Sequence, residues 1–372
     1  GNARRGRATA LIGGGPGAIF WMWVSAFFGM STIYAEATLA QQYKVKKDGE
    51  VTGGPVYYIR AAFKGTFGKA LAAIFAILIV LALGFTGNMV QSNSIGAAFS
   101  EVFSARNIEI PSIVFGLILA VVIGFIFLGG VNRLASVVEK IVPIMAGIYI
   151  VGSLVLILMN ITALPGAIKM IFVGAFNPEA VVGAGAGIAV REAIRFGVAR
   201  GLFSNEAGMG STPHAHARAK VENPHKQGLA AMISVFIDTF IILNLTVFSI
   251  LTTGVLDSGK EGTALTQAAF TKGFGNFGDI FVAVCLLFFA FSTILGWHFF
   301  GEVNVKYLFG EKAAKFYSIL VIGFVIVGST LKVQLVWSLS DFFNGLMVIP
   351  NAIALWALSG VVVKICKQYG KK

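Results

Sequence analysis

Residues 199–210 read ARGLFSNEAGMG. Arg200, Ser204, Asn205 and Glu206 share these twelve positions with three glycines, inside a chain that is otherwise mostly apolar. Glycine and small polar residues weaken a helix. The stretch therefore predicts a break in a membrane helix at Gly201–Ser204. A broken helix is tolerated in a bilayer only where it is buried in protein or lines a cavity. Its unpaired N–H and C=O groups then hold ions and polar substrates. Asn205 and Glu206 read as a structural anchor or inner gate, and an Arg200–Glu206 charge pair would fix the same region.

Composition sets the setting for this break. The 372 residues are 56% hydrophobic and 12% charged, against about 25% charged in soluble domains. Mean hydropathy is +0.82. The chain reads as an integral membrane protein. Its 45 glycines suit helices whose backbones approach closely. The net charge of +12 sits in short loops between apolar runs, so it reports topology and does not call for nucleic acid. Cys285 and Cys366 fall in separate apolar runs and read as buried, unpaired thiols. The opening GNARRGRATALIGGGPG carries no signal peptide and reads as the interior of a longer chain.

Nine apolar stretches are long enough to span, near 17–42, 70–100, 111–131, 141–160, 183–207, 228–255, 279–304, 313–331 and 335–363. Lys44, Lys46, Lys47, Arg60, Lys64 and Lys69 follow the first. Arg133 and Lys140, then Arg218, Lys220 and Lys226, then Lys306, Lys312 and Lys315 fill alternate loops. The intervening loops hold only Arg106, Lys169, Lys260, Lys272 and Lys332. The basic set is cytoplasmic on this pattern, and so is the C-terminus with Lys364, Lys367, Lys371 and Lys372. Residues 44–63 read as a basic cytoplasmic connection with an interfacial segment. GTALTQAAF, in the long outer loop 254–278, reads as a short external helix.

Two further polar islands lie within spans. Asn88 and Gln91 are three apart in GFTGNMVQSNS (84–94) and share a helix face. Inter-helix hydrogen bonding is one role for them, and lining a pocket is the other, favoured for Gln91. Ser292 and Thr293 in FAFSTILGWHFFGE (289–302) are adjacent hydroxyls. They suit a small hard cation such as Na⁺, or they bond back to the preceding turn. Trp297 is one turn beyond Thr293, facing the same side. GAGAGIA (183–189) follows no strand and is not a phosphate loop. His214 and His216 are two apart, which fails the one-face geometry of a helical zinc site, and they read as part of a cytoplasmic loop. No paired nucleophile and base is present, which argues against an enzyme.

GGPGAIFWMW, TGGPVYYI, GNMVQSNSI, VREAIRFGVARGLFSNEAGMGS, FSTILGW and DFFNGLMVIPN together resemble the alanine or glycine:cation symporter family, over nearly the whole chain. The resemblance implies Na⁺-coupled uptake of small neutral amino acids, alanine or glycine, with no cofactor, by a multi-pass protein of the cell membrane. It implies a leucine-transporter-type fold: an all-α single transmembrane domain of 5+5 inverted repeats, about 1–160 (incomplete) and about 183–363. The nine spans are then helices 2 to 10, following a remnant of helix 1. By resemblance, the substrate carboxylate meets N–H groups of the helix 1 break near Gly1 and Asn2. Gln91, Gly201, Phe203 and Ser204 contact the substrate, Trp297 closes the pocket, and Ser292 and Thr293 bind Na⁺. ARRGR after Gly1-Asn2 departs from the family's small apolar stretch, and half of helix 1 is missing, so the chain as it stands is not expected to transport. A proton-coupled permease with Glu206 as titrating group is the alternative.

Overall fold

The computed structural model describes residues 11, 13–47, 49–127, 130–177, 190–260 and 262–370. Helix α1 (Gly17–Gln42) begins at Pro16, whose φ of −56° is already helical. A small antiparallel hairpin follows, β1 (Val45–Lys47) on β2 (Glu50–Thr52), with Val45 opposite Thr52 and Lys47 opposite Glu50. Alternation was too short there to announce strands in the sequence. Pro55 opens α2 (Pro55–Ala62), which buries Val56, Tyr58 and Ile59. Helix α3 (Gly65–Ser104) is 40 residues long and widens to a π-helical stretch at Val80–Gly87.

Helices α4 (Ser112–Phe127), α5 (Gly130–Met159) and α6 (Leu164–Phe176) come next. The segments Pro143–Met159 and Ile161–Phe176 meet at 77°. Then follow α7 (Val190–Asn205) and the short α8 (Pro213–Arg218). Helix α9 (Pro224–Thr253) is capped by the Asn223 side chain, which accepts the Lys226 N–H at 3.0 Å. It has its own π-helical stretch at Ile237–Leu243. The chain closes with α10 (Thr263–Phe274), α11 (Gly278–Phe309), α12 (Glu311–Thr330), α13 (Val333–Ala357) and α14 (Ser359–Tyr369). Helix α10 is the one expected from GTALTQAAF.

Among the described residues, six helical stretches are long and apolar enough to cross a membrane: α1, α3, α9, Thr263–Phe309, α12 and α13. The bent pair at 77° makes a seventh if it counts as one span. The architecture is that of an all-helical, polytopic membrane protein. Two of the nine expected spans fall short for visible reasons. Helix α4 is apolar but has only 16 residues. Helix α7 carries Arg191, Glu192, Arg195 and Arg200, and the first part of its expected span, 183–189, lies outside the described residues.

The helices pack in two groups. Helix α1 contacts α6, α7 and α9 in one group, while α3, α4, α11 and α12 form the other, with α13 lying on α3. Close approach in the first group depends on Gly197, where an added Cβ would meet the Ala18 carbonyl oxygen at 2.5 Å. The second group holds the larger apolar core, including Phe75, Ile123, Ile294 and Val321. Cys285 is buried as expected, but Cys366 is exposed on α14.

Candidate functional site

The break lies next to the predicted place and not in it. Gly201–Ser204 stays helical to the end of α7 at Asn205. The chain leaves the helix at Glu206, a non-glycine residue with φ 56°, and re-enters it at Pro213. Gly208 (φ 92°) and Gly210 (φ 79°) supply the remaining left-handed backbone. A single glycine inside four favourable neighbours costs only about 1 kcal/mol, so Gly201 alone does not stop the helix. The three αL positions do. NEAG, expected to be an anchor, is therefore the break itself.

The freed N–H groups are held by a carboxylate that the sequence reading passed over. Glu36, fully buried on α1, accepts from the Gly208 N–H at 2.8 Å through Oε2 and the Gly210 N–H at 2.8 Å through Oε1. The Asn351 side chain of α13 donates to the same Oε1 at 2.6 Å and to the Gly208 carbonyl at 2.9 Å. Tyr58 of α2 donates to Asn351 Oδ1 at 2.5 Å. Three elements, α1, α2 and α13, thus converge on one stretch of backbone. A lone carboxylate inside the apolar run 17–42 was the signal, since such a group needs buried donors.

Glu206 points the other way. It accepts the Trp297 indole N–H at 2.6 Å and the Ser211 hydroxyl. This corrects the expected Arg200–Glu206 pair. Arg200 instead makes a bidentate contact with Asp341 of α13, at 2.9 and 2.6 Å, and lies over the Trp337 ring at 4.4 Å. Trp297, 3% exposed, meets Phe203 edge-on at 5.5 Å between ring centroids, and Phe203 meets Trp337 at 4.8 Å. Phe203, Trp297 and Trp337 make one aromatic wall beside the break. Gly87 of the first π-helical stretch backs it, because a Cβ there would meet the Trp297 ring at 2.7 Å.

The other expected residues divide. Asn88 is fully buried and its amide donates to the Gly84 carbonyl at 3.1 Å. Ser92 and Asn93 bind carbonyls of α12 at Val325 (2.7 Å) and Gly328 (2.8 Å), so that part of the island joins helices. Gln91 is half-buried and has no side-chain hydrogen bond to the described residues. Ser292 and Thr293 both donate to the Phe289 carbonyl at 2.9 Å, the bond back to the preceding turn that was the alternative reading of this pair. Asn205 caps the turn by accepting the Ala207 N–H at 3.1 Å and donates to Thr239 of α9 at 3.3 Å. Ser204 donates to Asp238 of α9 at 2.7 Å. Gly1 and Asn2 lie outside the described residues.

His214, expected in a loop, is 1% exposed. Its Nδ1 is 2.6 Å from the Ser211 carbonyl and its Nε2 2.8 Å from the Asn304 amide. A carbonyl only accepts and an amide nitrogen only donates, so His214 is neutral with its proton on Nδ1. It ties the Ser211 end of the break to α11.

The apolar helices define a multi-pass membrane protein. The comparisons make this specific. The model of the sodium:alanine symporter family matches residues 1–372, and the chain belongs to that family of amino-acid symporters. It is 43% identical to the amino-acid carrier protein AlsT of Bacillus subtilis (strain 168), over 99% of this chain and 76% of the relative. It is 41% identical to the sodium/alanine symporter AgcS of Methanococcus maripaludis, over 98% and 80%. It is 40% identical to the putative sodium/proton-dependent alanine carrier protein YrbD of Bacillus subtilis (strain 168), over 99% and 77%.

Proposed function

We propose that the protein couples Na⁺ entry to uptake of a small neutral amino acid, alanine or glycine, by alternating access at the break between α7 and α8. The observation that carries this reading is the match of the sodium:alanine symporter family over residues 1–372, and the place proposed for binding is the break at Glu206–Gly210, held by Glu36 on one side and walled by Trp297 and Phe203 on the other. The aromatic wall of Phe203 and Trp297 would exclude a large side chain. Gln91 supplies an amide to the substrate. Gly201 and Ser204 border the site from the last turn of α7. Ser292 and Thr293 offer oxygen ligands to Na⁺. The scheme is the leucine-transporter-type 5+5 inverted repeat, with repeats near 1–160 and 183–363, in the plasma membrane with a cytoplasmic C-terminus. The basic loops and the names of the relatives AgcS and AlsT support it.

Proton coupling is the second reading, supported by the name of the relative YrbD and by Glu206 within the break. Uptake of radiolabelled alanine into proteoliposomes of the full-length protein separates the two. An inward Na⁺ gradient is expected to drive accumulation at constant pH. Accumulation driven by a pH gradient without Na⁺ would overturn the Na⁺ reading.

A further inference from the structure

The last turn of α3, helix α10 and the first turn of α11 enclose a cavity of about 370 Å³ that shares no residue with the break. Its lining includes Glu101, Arg106, Lys260, Gln267, Lys272 and Asp279. Cavities of roughly 300–1,000 Å³ hold small organic molecules, and a bare ion does not fill one. Four of the lining charges are paired. Arg106 holds Asp279 through two N–H groups, at 2.7 and 3.1 Å, and donates to the Asn276 carbonyl at 2.7 Å. Lys260 lies 2.9 Å from Glu101. Lys272 differs: its Nζ donates to the Thr253 carbonyl at 2.5 Å, at the end of α9, and no carboxylate partners it among the described residues. An ammonium has three N–H groups, so two remain.

Water serves an exposed ammonium, so Lys272 alone makes no site. Gln267 is the second, independent observation. It is 2% exposed, and its amide donates to the Ala98 and Asp279 carbonyls at 3.1 and 3.3 Å. Its Oε1 is buried with no hydrogen-bond partner among the described residues. A buried acceptor left unpaired is costly, and an occupant of the cavity that carries an O–H or N–H group relieves that cost. The two features together select a molecule with a carboxylate for Lys272 and a donor for Gln267. The described lining holds three cations against two carboxylates. A zwitterionic amino acid leaves that excess charge in place, whereas a hydroxy acid with one negative charge cancels it.

We propose that this cavity binds a small hydroxy-monocarboxylate, with its carboxylate on Lys272 and its hydroxyl donating to Gln267 Oε1. The site stands apart from the symport reading, since it needs neither Na⁺ nor the break. An occupant there braces α10 against α3 and α11, to which Gln267 is already bonded.

Equilibrium binding of radiolabelled L-lactate to the full-length protein in nanodiscs, with alanine saturating, tests this independently of transport. Propionate, which keeps the carboxylate and lacks the hydroxyl, is the competing probe. Lactate is expected to bind, and propionate to displace it only at a roughly tenfold higher concentration. Lys272→Gln is expected to weaken lactate roughly tenfold, while Lys315→Gln, at an exposed lysine outside the cavity, leaves it unchanged. Gln267→Leu is expected to make lactate and propionate equal. Lys272→Gln changes an exposed side chain and covers the case in which Gln267→Leu does not yield folded protein. No lactate binding in the presence of alanine would overturn the site. Equal lactate and propionate affinity in the unchanged protein would overturn it too, as would an equal loss in Lys272→Gln and Lys315→Gln. Lactate binding as expected, in a protein whose alanine uptake ignores Na⁺, would sink the symport reading and leave the site standing.

Discussion

Replacing Glu36 tests what holds the break open. In Glu36→Gln the shape is kept, but one acceptor oxygen becomes an NH₂. Whichever way the amide turns, either the Gly208 N–H or the Gly210 N–H and Asn351 amide face a donor. At least one charge-assisted bond, worth about 1.5–3 kcal/mol, is lost, and a buried donor is left unpaired at a further cost of about 1–3 kcal/mol. The remaining bonds weaken because the acceptor is neutral. The sum, roughly 3–5 kcal/mol, is a large share of the ~5–15 kcal/mol that usually holds a protein folded. Glu36→Ala strands all three donors and is expected to abolish recoverable protein. For Glu36→Gln, thermal unfolding of the detergent-solubilised full-length protein is expected to show a midpoint lower by roughly 3–8 °C. Alanine uptake is expected to fall more than the protein level does. A native midpoint with native uptake would refute the idea that this carboxylate fixes the break.

Arg200→Ala leaves the exposed Asp341 without its cation and is expected to destabilise by about 1 kcal/mol; the coupling energy is read by adding Asp341→Ala in a double-mutant cycle of midpoints. Gly87→Ala places a methyl group against the Trp297 ring, and is expected to lower alanine uptake while overall stability changes by less than about 3 kcal/mol. Thr293→Ala removes an expected Na⁺ ligand and is expected to raise the Na⁺ concentration for half-maximal uptake several-fold at unchanged protein level; Gln91→Ala is expected to weaken apparent alanine affinity instead. Equal kinetics in both would remove Gln91 and Thr293 from the site.

The positions of α1 and α11 were legible because apolar runs of 20 residues or more have one solution in a bilayer. The existence of a break in 199–210 was legible too, since three glycines and a carboxylate do not make a membrane helix. Its register was not. Local propensity distributes the penalty along the stretch, whereas tertiary bonds decide where the backbone departs, and those come from Glu36 and Asn351, 170 residues upstream and 145 downstream of Glu206. The same limit hid the partner of Arg200, because nearness in sequence favoured Glu206 while α13 brings Asp341 across. Asp238 was visible as a charge in an apolar run, but its hydroxyl neighbour on α7 appears only in three dimensions. The hairpin at 45–52 is three residues per strand, too short for any alternation to show.

The most direct measurement of the central claim is the alanine affinity of the full-length protein, followed by tryptophan fluorescence across a Na⁺ series at constant ionic strength. Coupled binding requires reciprocity: Na⁺ tightens alanine by the same factor by which alanine tightens Na⁺. The account predicts alanine binding that strengthens at least tenfold as Na⁺ rises, about 1.4 kcal/mol of coupling, with the matching change in Na⁺ affinity. An alanine affinity that is the same with and without Na⁺ would contradict it.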